Sequence, residues 1–227
     1  MNDFVLDLQR AAAYRALSLV LSRPEPGFVD EVSALSGEVG SALREPLATL
    51  VRSVPPNAEL LYHALIGPSG TCRDCESDYE VNALGGKGPL LADVAGFYKA
   101  FAYEPDSRLA SSPDHVAAEL GFLGWLALKR ANAIHGELSE AAEVSAAASK
   151  SFVKDHFGRW AAEFLSRLEV AGEGTYYGRV ATLARAVLDA LEPGGIEPPR
   201  ERSGGPRLPV LGDEAPDACG GDAAGLA

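Results

Sequence analysis

The stretch "SSPDHVAAELGFLGWLALK" (residues 111–129) decides the fold class, because it joins a strong helix start to a long apolar repeat. Ser112 is a favourable N-cap, Pro113 a favourable first helical residue, and Asp114 in the first turn complements the helix dipole. Apolar residues then recur every three or four positions, which is the spacing of one buried helix face. We predict a helix over residues 113–133.

The same helical repeat covers most of the chain, and the alternation typical of strands is rare. Further helices are predicted over residues 3–22, from 28 to about 35, over 43–50 with a kink or break near Pro46, from 55 to 67, over 89–103, over 137–170 with an interruption near 149–151, and over 175–191. The prediction is an all-α, single-domain helical bundle over residues 1–192. Residues 193–227 are rich in Gly and Pro, so we expect a disordered C-terminal tail there.

Composition and charge restrict the classes of function. Hydrophobic residues make up 47% of the 227 residues, which is enough for a packed core. The formal net charge of −12 argues against nucleic acid as a partner, because phosphate binding needs clustered Lys and Arg. The sequence shows neither a signal peptide nor an uncharged stretch long enough for a membrane span. We therefore expect a cytoplasmic protein without direct membrane insertion.

His115 and Glu119 lie one helical turn apart, at the border of the predicted buried face. A polar side chain in that position needs a hydrogen-bonding partner. Three interpretations stay open from the residues alone: a pair satisfied within the core, a pair that binds the polar groups of a peptide, and the acid–base pair of a hydrolase. The hydrolase would use His115 with either Glu119 or Asp114, but the stretch offers no evident nucleophile, so catalysis ranks last.

Cys72 and Cys75, in "CRDC", have the spacing that zinc sites and thiol–disulfide exchange proteins use. A zinc site needs a second pair of ligands, and the third cysteine, Cys219, lies in the predicted tail. A thioredoxin-like motif would lie between a strand and a helix, which the surrounding pattern does not offer. Two incidental loop cysteines are the favoured interpretation. A metal-binding or redox protein is the alternative function.

Residues 67–88 lack a helical repeat, and their length predicts an irregular functional loop rather than a plain connection. Within the loop, "CESDYE" (residues 75–80) carries Glu76 and Tyr79 among several acids. Such a segment predicts an acidic lip that meets a basic ligand, with the tyrosine supplying contact area. A solvated loop is the simpler interpretation.

The order of these motifs resembles the TorD/DmsD/NarJ family of cytoplasmic chaperones for molybdenum-containing redox enzymes. The family motifs are an acid-x-x-Tyr loop, a Phe-Tyr helix, a Pro-Asp-His helix start followed by Glu-Leu, and a late His-x-x-x-Trp helix. In this sequence they correspond to Glu76 with Tyr79, Phe97 with Tyr98, Pro113–Asp114–His115 with Glu119–Leu120, and His156 with Trp160 of "FVKDHFGRW". The match covers roughly residues 4–191.

The resemblance implies an all-helical protein with no enzymatic turnover and no cofactor of its own. Such a chaperone binds the N-terminal signal, often a twin-arginine signal, or the body of the catalytic subunit of a molybdenum oxidoreductase, and assists cofactor insertion before export. It implies that Asp114, His115, Glu76 and Tyr79 bind the peptide, with Glu119 as local support. A monomer or a domain-swapped dimer is expected.

Electrostatics is consistent with that role, because a twin-arginine signal is cationic at its start and apolar afterwards. We expect an acidic lip to attract the arginines, formed by Asp74, Glu76, Asp78 and Glu80. Asp114 would pair with one arginine, and His115 would supply a pH-sensitive hydrogen bond. A groove with apolar walls would take the hydrophobic part of the signal.

Overall fold

The computed structural model describes residues 2–67, 69–80 and 86–198. The described residues form nine α-helices: α1 (Asp3–Val20), α2 (Phe28–Glu38), α3 (Ser41–Arg52), α4 (Ala58–Leu65), α5 (Gly88–Ala100), α6 (Val116–His135), α7 (Ser139–Asp155), α8 (Ala161–Ala171) and α9 (Tyr176–Leu191). Among the same residues, β-type backbone pairing is limited to two isolated bridges. The all-α prediction is confirmed. None of the described helices combines the length and the apolar character that crossing a membrane requires.

Helices α1 and α6 make the most extensive helix–helix contact of the fold. Gly124 of α6 lies where they meet, since a Cβ there would come within 3.3 Å of the Ala11 carbonyl oxygen and of the Tyr14 Cβ. Tyr14 is fully buried at this crossing. The missing side chain therefore lets the two helices approach closely, and interiors packed to this density tolerate added volume poorly.

An aromatic cluster surrounds Phe122 of α6. Ring centroids lie 4.8 to 6.4 Å from that of Phe122 for Phe97, Tyr98, Phe101, Tyr103 and Phe152. Tilted and edge-to-face pairs of this kind add stabilisation beyond the area they bury. The cluster holds α5 and α7 against α6, beside the loop that carries the predicted site.

The start of α6 differs from the prediction. The helix begins at Val116 with His115 as its N-cap, instead of at Pro113 with Ser112 as its cap. The reason is that His115 is extended and forms an antiparallel bridge with Cys75 of the loop, which delays the first helical turn. The Ser112 hydroxyl donates to the Asp114 carboxylate instead of capping the helix.

The helical region predicted over residues 137–170 breaks at a different place. Helix α7 continues past residues 149–151 to Asp155, and His156 leaves the helix with φ −129° and ψ −94°. The 3₁₀ turn Phe157–Arg159 follows, and a Cβ on Gly158 would overlap the Gly195 carbonyl oxygen. The break therefore lets the chain after α9 pack on this turn. His156 and Trp160 do not share one helix, contrary to the prediction.

Other helix boundaries shift by a few residues, for local reasons. Pro46 lies inside α3, which continues without the predicted break. The helix predicted over residues 89–103 ends at Ala100, because Ala102 takes a left-handed conformation with φ +50°. The helix predicted from residue 55 begins at Ala58.

The domain boundary at residue 192 stays a prediction. Beyond it, Ile196 still packs against the core, and the Glu197 N–H donates to the Gly158 carbonyl oxygen at 2.8 Å. Contacts with the helical domain therefore continue past α9. The rest of the predicted tail, residues 199–227 with Cys219, lies outside the described residues.

We expect the α1–α6 crossing to be sensitive to side-chain volume. Gly124→Val should lower the free energy of unfolding by about 1–3 kcal/mol, because the added side chain meets the α1 backbone. Gly96→Ala is the matched control, since a Cβ there meets nothing within 4 Å and alanine favours a helix by up to about 1 kcal/mol. Urea denaturation measures both. Equal stability of the two variants would contradict the close crossing.

Candidate functional site

The loop after α4 is fastened to the start of α6 by backbone hydrogen bonds. The Glu76 N–H donates to the Asp114 carbonyl oxygen at 2.9 Å, and the Val116 N–H donates to the Asp74 carbonyl oxygen at 2.8 Å. The Asp114 side chain adds a third bond, since its Oδ2 accepts the Ser77 N–H at 3.0 Å. These bonds attach a loop of irregular sequence to a rigid helix.

His115 bonds to the loop and to helix α6 through its two ring nitrogens. Nδ1 accepts the Ala117 N–H at 3.0 Å and so caps α6. Because Nδ1 is an acceptor, the neutral ring carries its hydrogen at Nε2. Nε2 lies 3.1 Å from Asp74 Oδ2 and 3.5 Å from the Tyr62 hydroxyl oxygen. One imidazole thus holds the helix start and the loop together.

The Asp74 carboxylate is the loop's partner for His115, and it is 4% exposed. Burial by itself would raise the pKa of this carboxyl group. The hydrogen bond and charge of His115, together with hydrogen bonds from the Cys75 thiol and the backbone, outweigh burial and hold the pKa below its ordinary value. Asp74 is therefore an anion at neutral pH, and its bond to His115 is charge-assisted.

Glu76, His156 and Asp93 form a chain of contacts from the interior to the surface. Glu76 Oε2 lies 3.1 Å from His156 Nδ1, and His156 Nε2 lies 3.4 Å from Asp93 Oδ2. The Glu76 side chain is 1% exposed, whereas that of Asp93 is 69% exposed. His156 Nε2 makes no hydrogen bond with the described residues, so Asp93 meets the imidazole only at ion-pair distance.

Glu119 is fully buried, and its Oε2 accepts the Trp160 indole N–H at 3.1 Å. Burial raises the pKa of Glu119 well above its ordinary value, and the nearby charges of Glu76 and Asp114 raise it further, whereas the Trp160 bond opposes the rise. Oε1 of Glu119 and Oε1 of Glu76 accept no hydrogen bond from the described residues. Protonation of Glu119 would let its carboxyl group donate to Glu76 and so satisfy both of these oxygens.

Tyr79 closes the outer side of this network. Its ring centroid lies 5.3 Å from that of Trp160, and the Arg167 guanidinium lies 5.0 Å above the ring. The hydroxyl donates to the Arg73 carbonyl oxygen at 2.7 Å. Tyr79 is 5% exposed, so it packs inward instead of offering its face to solvent.

The structure brings all five predicted site residues into one buried network, here called the latch: Asp114, His115, Glu76, Tyr79 and Glu119. A role in peptide binding stays a prediction, because each of them is at most 5% exposed in this conformation. Sequence reasoning missed Tyr62 and Asp93 as members, since no helical spacing links them to the motifs. The sequence motifs identified His156, Trp160, Glu76 and Glu119, but they did not predict that Glu76 pairs with His156 or that Glu119 pairs with Trp160.

The prediction of an exposed acidic lip is wrong for half of its members. Asp74 and Glu76 point inward and are 4% and 1% exposed. Asp78 pairs with Lys87 at 2.7 Å, and Glu80 pairs with Arg159 at 3.0 Å. Asp74 bonds to His115 at the start of α6, and Glu76 bonds to His156. The acid-rich segment therefore does not present four charges to solvent.

Cys72 and Cys75 are free thiols. Burial raises the pKa of both, and for Cys75 the neighbouring Asp114 and Asp74 charges raise it further. Both are therefore protonated at neutral pH, whereas metal binding and thiol exchange use the thiolate. Among the described residues no group of His, Cys, Asp and Glu has the arrangement of a metal site.

We expect Glu119→Gln to change how stability depends on pH. The folded protein keeps Glu119 protonated above the ordinary pKa of 4.5, so this contribution to stability is complete below pH 4.5 and declines as the pH rises toward the raised value. Glutamine preserves the bonds of the protonated form and does not titrate. The stability of the variant relative to the parent should therefore rise as the pH increases above 4.5.

Chemical denaturation at several pH values measures this difference, with the exposed Glu143→Gln as control. Parallel pH profiles for Glu119→Gln and the parent protein would show that Glu119 is an ordinary carboxylate.

Two curated assembly chaperones are similar to this chain in sequence. The chlorate reductase assembly chaperone protein of Ideonella dechloratans is 31% identical over 119 residues, which cover 52% of this chain and 59% of the relative. The selenate reductase assembly chaperone protein of Thauera selenatis is 32% identical over 84 residues, which cover 37% and 42%. The chain thus matches about half the length of these relatives.

A solved structure from Archaeoglobus fulgidus, described as a candidate redox enzyme maturation protein, covers 80% of this chain and 93% of its own, with a TM-score of 0.49 and 24% identity. The family model of the nitrate reductase delta subunit matches residues 35–166, which is more than half of the sequence and includes the loop, α6 and the turn after α7. This match confirms the resemblance seen in the motifs. The chain belongs to the nitrate reductase delta subunit family, the group that includes NarJ- and TorD-type proteins.

Proposed function

We propose that this protein is an assembly chaperone for the catalytic subunit of a molybdenum-containing oxidoreductase. It acts in the cytoplasm, where it binds the N-terminal signal of that subunit until the molybdenum cofactor is inserted. A client that is exported would carry a twin-arginine signal. The chain itself catalyses no reaction in this proposal.

Family membership and the curated relatives support the chaperone role. The two relatives are named as assembly chaperones, one of a chlorate reductase and one of a selenate reductase. The segments that form the latch lie within the part of the chain that the family model matches. The thiols of Cys72 and Cys75, whose pKa values are raised, offer no comparable support for the metal-binding or redox alternative.

The observation that carries the peptide-binding part is the unsatisfied Oε1 of Glu76. This oxygen is buried and accepts no hydrogen bond from the described residues unless Glu119 is protonated. A guanidinium carries five N–H donors in a planar fork that matches a carboxylate. An arginine that reaches Glu76 would replace the shared proton with a charge-assisted pair.

Access to Glu76 requires the loop to move away from α6. Asp93 is the exposed end of the chain of contacts through His156, and Asp78 is an exposed residue of the loop. A basic signal would first meet these two acids at the surface. One of its arginines would then take the place of His156 beside Glu76, while Asp114, released from Ser77, could accept the other.

We expect Glu76→Gln to weaken the binding of an arginine-bearing signal. The probe is a synthetic peptide with two adjacent arginines followed by an apolar stretch, measured by calorimetry. Loss of the charge-assisted pair should raise Kd about tenfold or more, since such bonds contribute roughly 1.5–3 kcal/mol. A peptide with two glutamines in place of the arginines should bind the parent protein no more tightly than it binds the Glu76→Gln variant.

The exposed Glu140→Gln in the first turn of α7 is the matched control, because it removes one charge far from the latch in sequence. Its Kd should equal that of the parent protein. Equal affinity of Glu76→Gln and Glu140→Gln would remove Glu76 from the binding site.

Co-purification tests the chaperone role separately from the site. The full chain, isolated from its own cells under mild conditions, should carry a molybdenum oxidoreductase catalytic subunit that still lacks its cofactor. Recovery of that subunit only after cofactor insertion would contradict a role in assembly.

A further inference from the structure

An open cavity lies away from the latch, between α1, α3 and α9. It has a volume of about 770 Å³, and we call it the α3–α9 groove. Most of its lining is apolar, from Leu6, Ala13, Leu43, Pro46, Leu183 and Val187. Leu6 is 41% exposed, although it is a large apolar side chain. Exposed apolar surface of this kind marks a binding site more often than chance.

Arginines line the α3–α9 groove in a chain whose net charge is −12. Arg10 donates to the Leu191 carbonyl oxygen at 2.6 Å, and Arg44 donates to the Gly37 carbonyl oxygen at 3.0 Å. Among the described residues no carboxylate lies within ion-pair distance of either guanidinium. Arg130 differs, since it pairs with the buried Asp7, and the one other acid of the lining is Asp3 at the start of α1. The groove therefore suits an apolar ligand that also carries carboxylates.

The chain supplies a segment with this chemistry. Residues 208–214, "LPVLGDE", join four apolar residues to Asp213 and Glu214. They form the one apolar cluster in the Gly- and Pro-rich sequence after residue 198. The apolar part of the segment matches the apolar walls of the groove. The two acids match its two guanidiniums that lack a carboxylate partner.

The described chain also ends close to the α3–α9 groove. Pro193, Gly194 and Gly195 line a neighbouring cavity that shares Asp7, Arg10, Arg130 and Leu191 with the groove. Residues 199–207 separate the last described residue from Leu208, and a connection of that length can span on the order of 30 Å when extended. The segment can therefore reach the groove within the same molecule.

We propose that residues 208–214 bind in the α3–α9 groove of their own chain. Leu208, Val210 and Leu211 contact the apolar walls, and Asp213 and Glu214 pair with Arg10 and Arg44. A short connection gives the segment an effective concentration in the millimolar range, so even weak contacts are enough for occupancy.

Hydrogen exchange on the full chain tests this proposal. In Leu208→Asp/Leu211→Asp, amides in residues 41–47 and 183–191 should exchange at least fivefold faster than in the parent protein, because the groove loses its ligand. Leu226→Asp is the matched control, which adds a charge after residue 198 but outside the segment, and it should change nothing. Unchanged exchange in the double variant would overturn the proposal.

Reversing the charges on both sides tests the proposed ion pairs. Arg44→Glu should speed the same amides, and Asp213→Arg/Glu214→Arg in that background should restore at least half of the lost protection. Absence of any restoration would remove the assigned ion pairs and overturn the proposal in this form.

Dilution distinguishes a segment of the same chain from other occupants. Protection that stays constant from about 100 µM to 1 µM supports binding within one molecule. Protection that falls on dilution would assign the groove to a second copy, and protection that appears only with an added apolar acidic peptide would assign it to a partner. Either result overturns the proposal without bearing on the binding of an arginine peptide at Glu76.

Discussion

The imidazole of His115 is the interaction on which the site depends, because it serves two elements at once. Its Nδ1 caps α6 through the Ala117 N–H, and its Nε2 holds the Asp74 carboxylate of the loop. The cap fixes the tautomer, and the tautomer fixes the direction of the bond to Asp74. The position of the loop therefore follows from the start of one helix.

The remainder of the latch extends this arrangement into the core. Once the loop lies against α6, the Glu76 side chain is buried next to Glu119 and opposite His156. Two carboxyl groups in the interior can coexist only if one is protonated or a cation joins them. The close approach of Glu76 and Glu119 thus creates an acceptor for a guanidinium, which connects the fold to the proposed recognition of an arginine-bearing signal.

Sequence patterns were sufficient for the fold class and for finding residues that meet in the latch, and insufficient for its shape, while a binding role for these residues stays a prediction. Helical spacing identified nearly every helix, and the Pro-Asp-His, acid-x-x-Tyr and His-x-x-x-Trp motifs contain most of the latch. The start of α6 was wrong because the bridge between Cys75 and His115 joins segments that are distant in sequence. The lip was wrong because Asp74 and Glu76 have buried partners, and no local pattern shows where a loop will fold back.

His115→Asn tests most directly whether the imidazole couples the helix to the loop. Asparagine is among the best N-cap residues, but its shorter side chain cannot also hold Asp74. The amides of Glu76 and Ser77 should therefore exchange about tenfold faster, while those in the first turn of α6 keep their protection. Unchanged exchange at Glu76 and Ser77 would contradict the coupling, since the loop would then be held without His115.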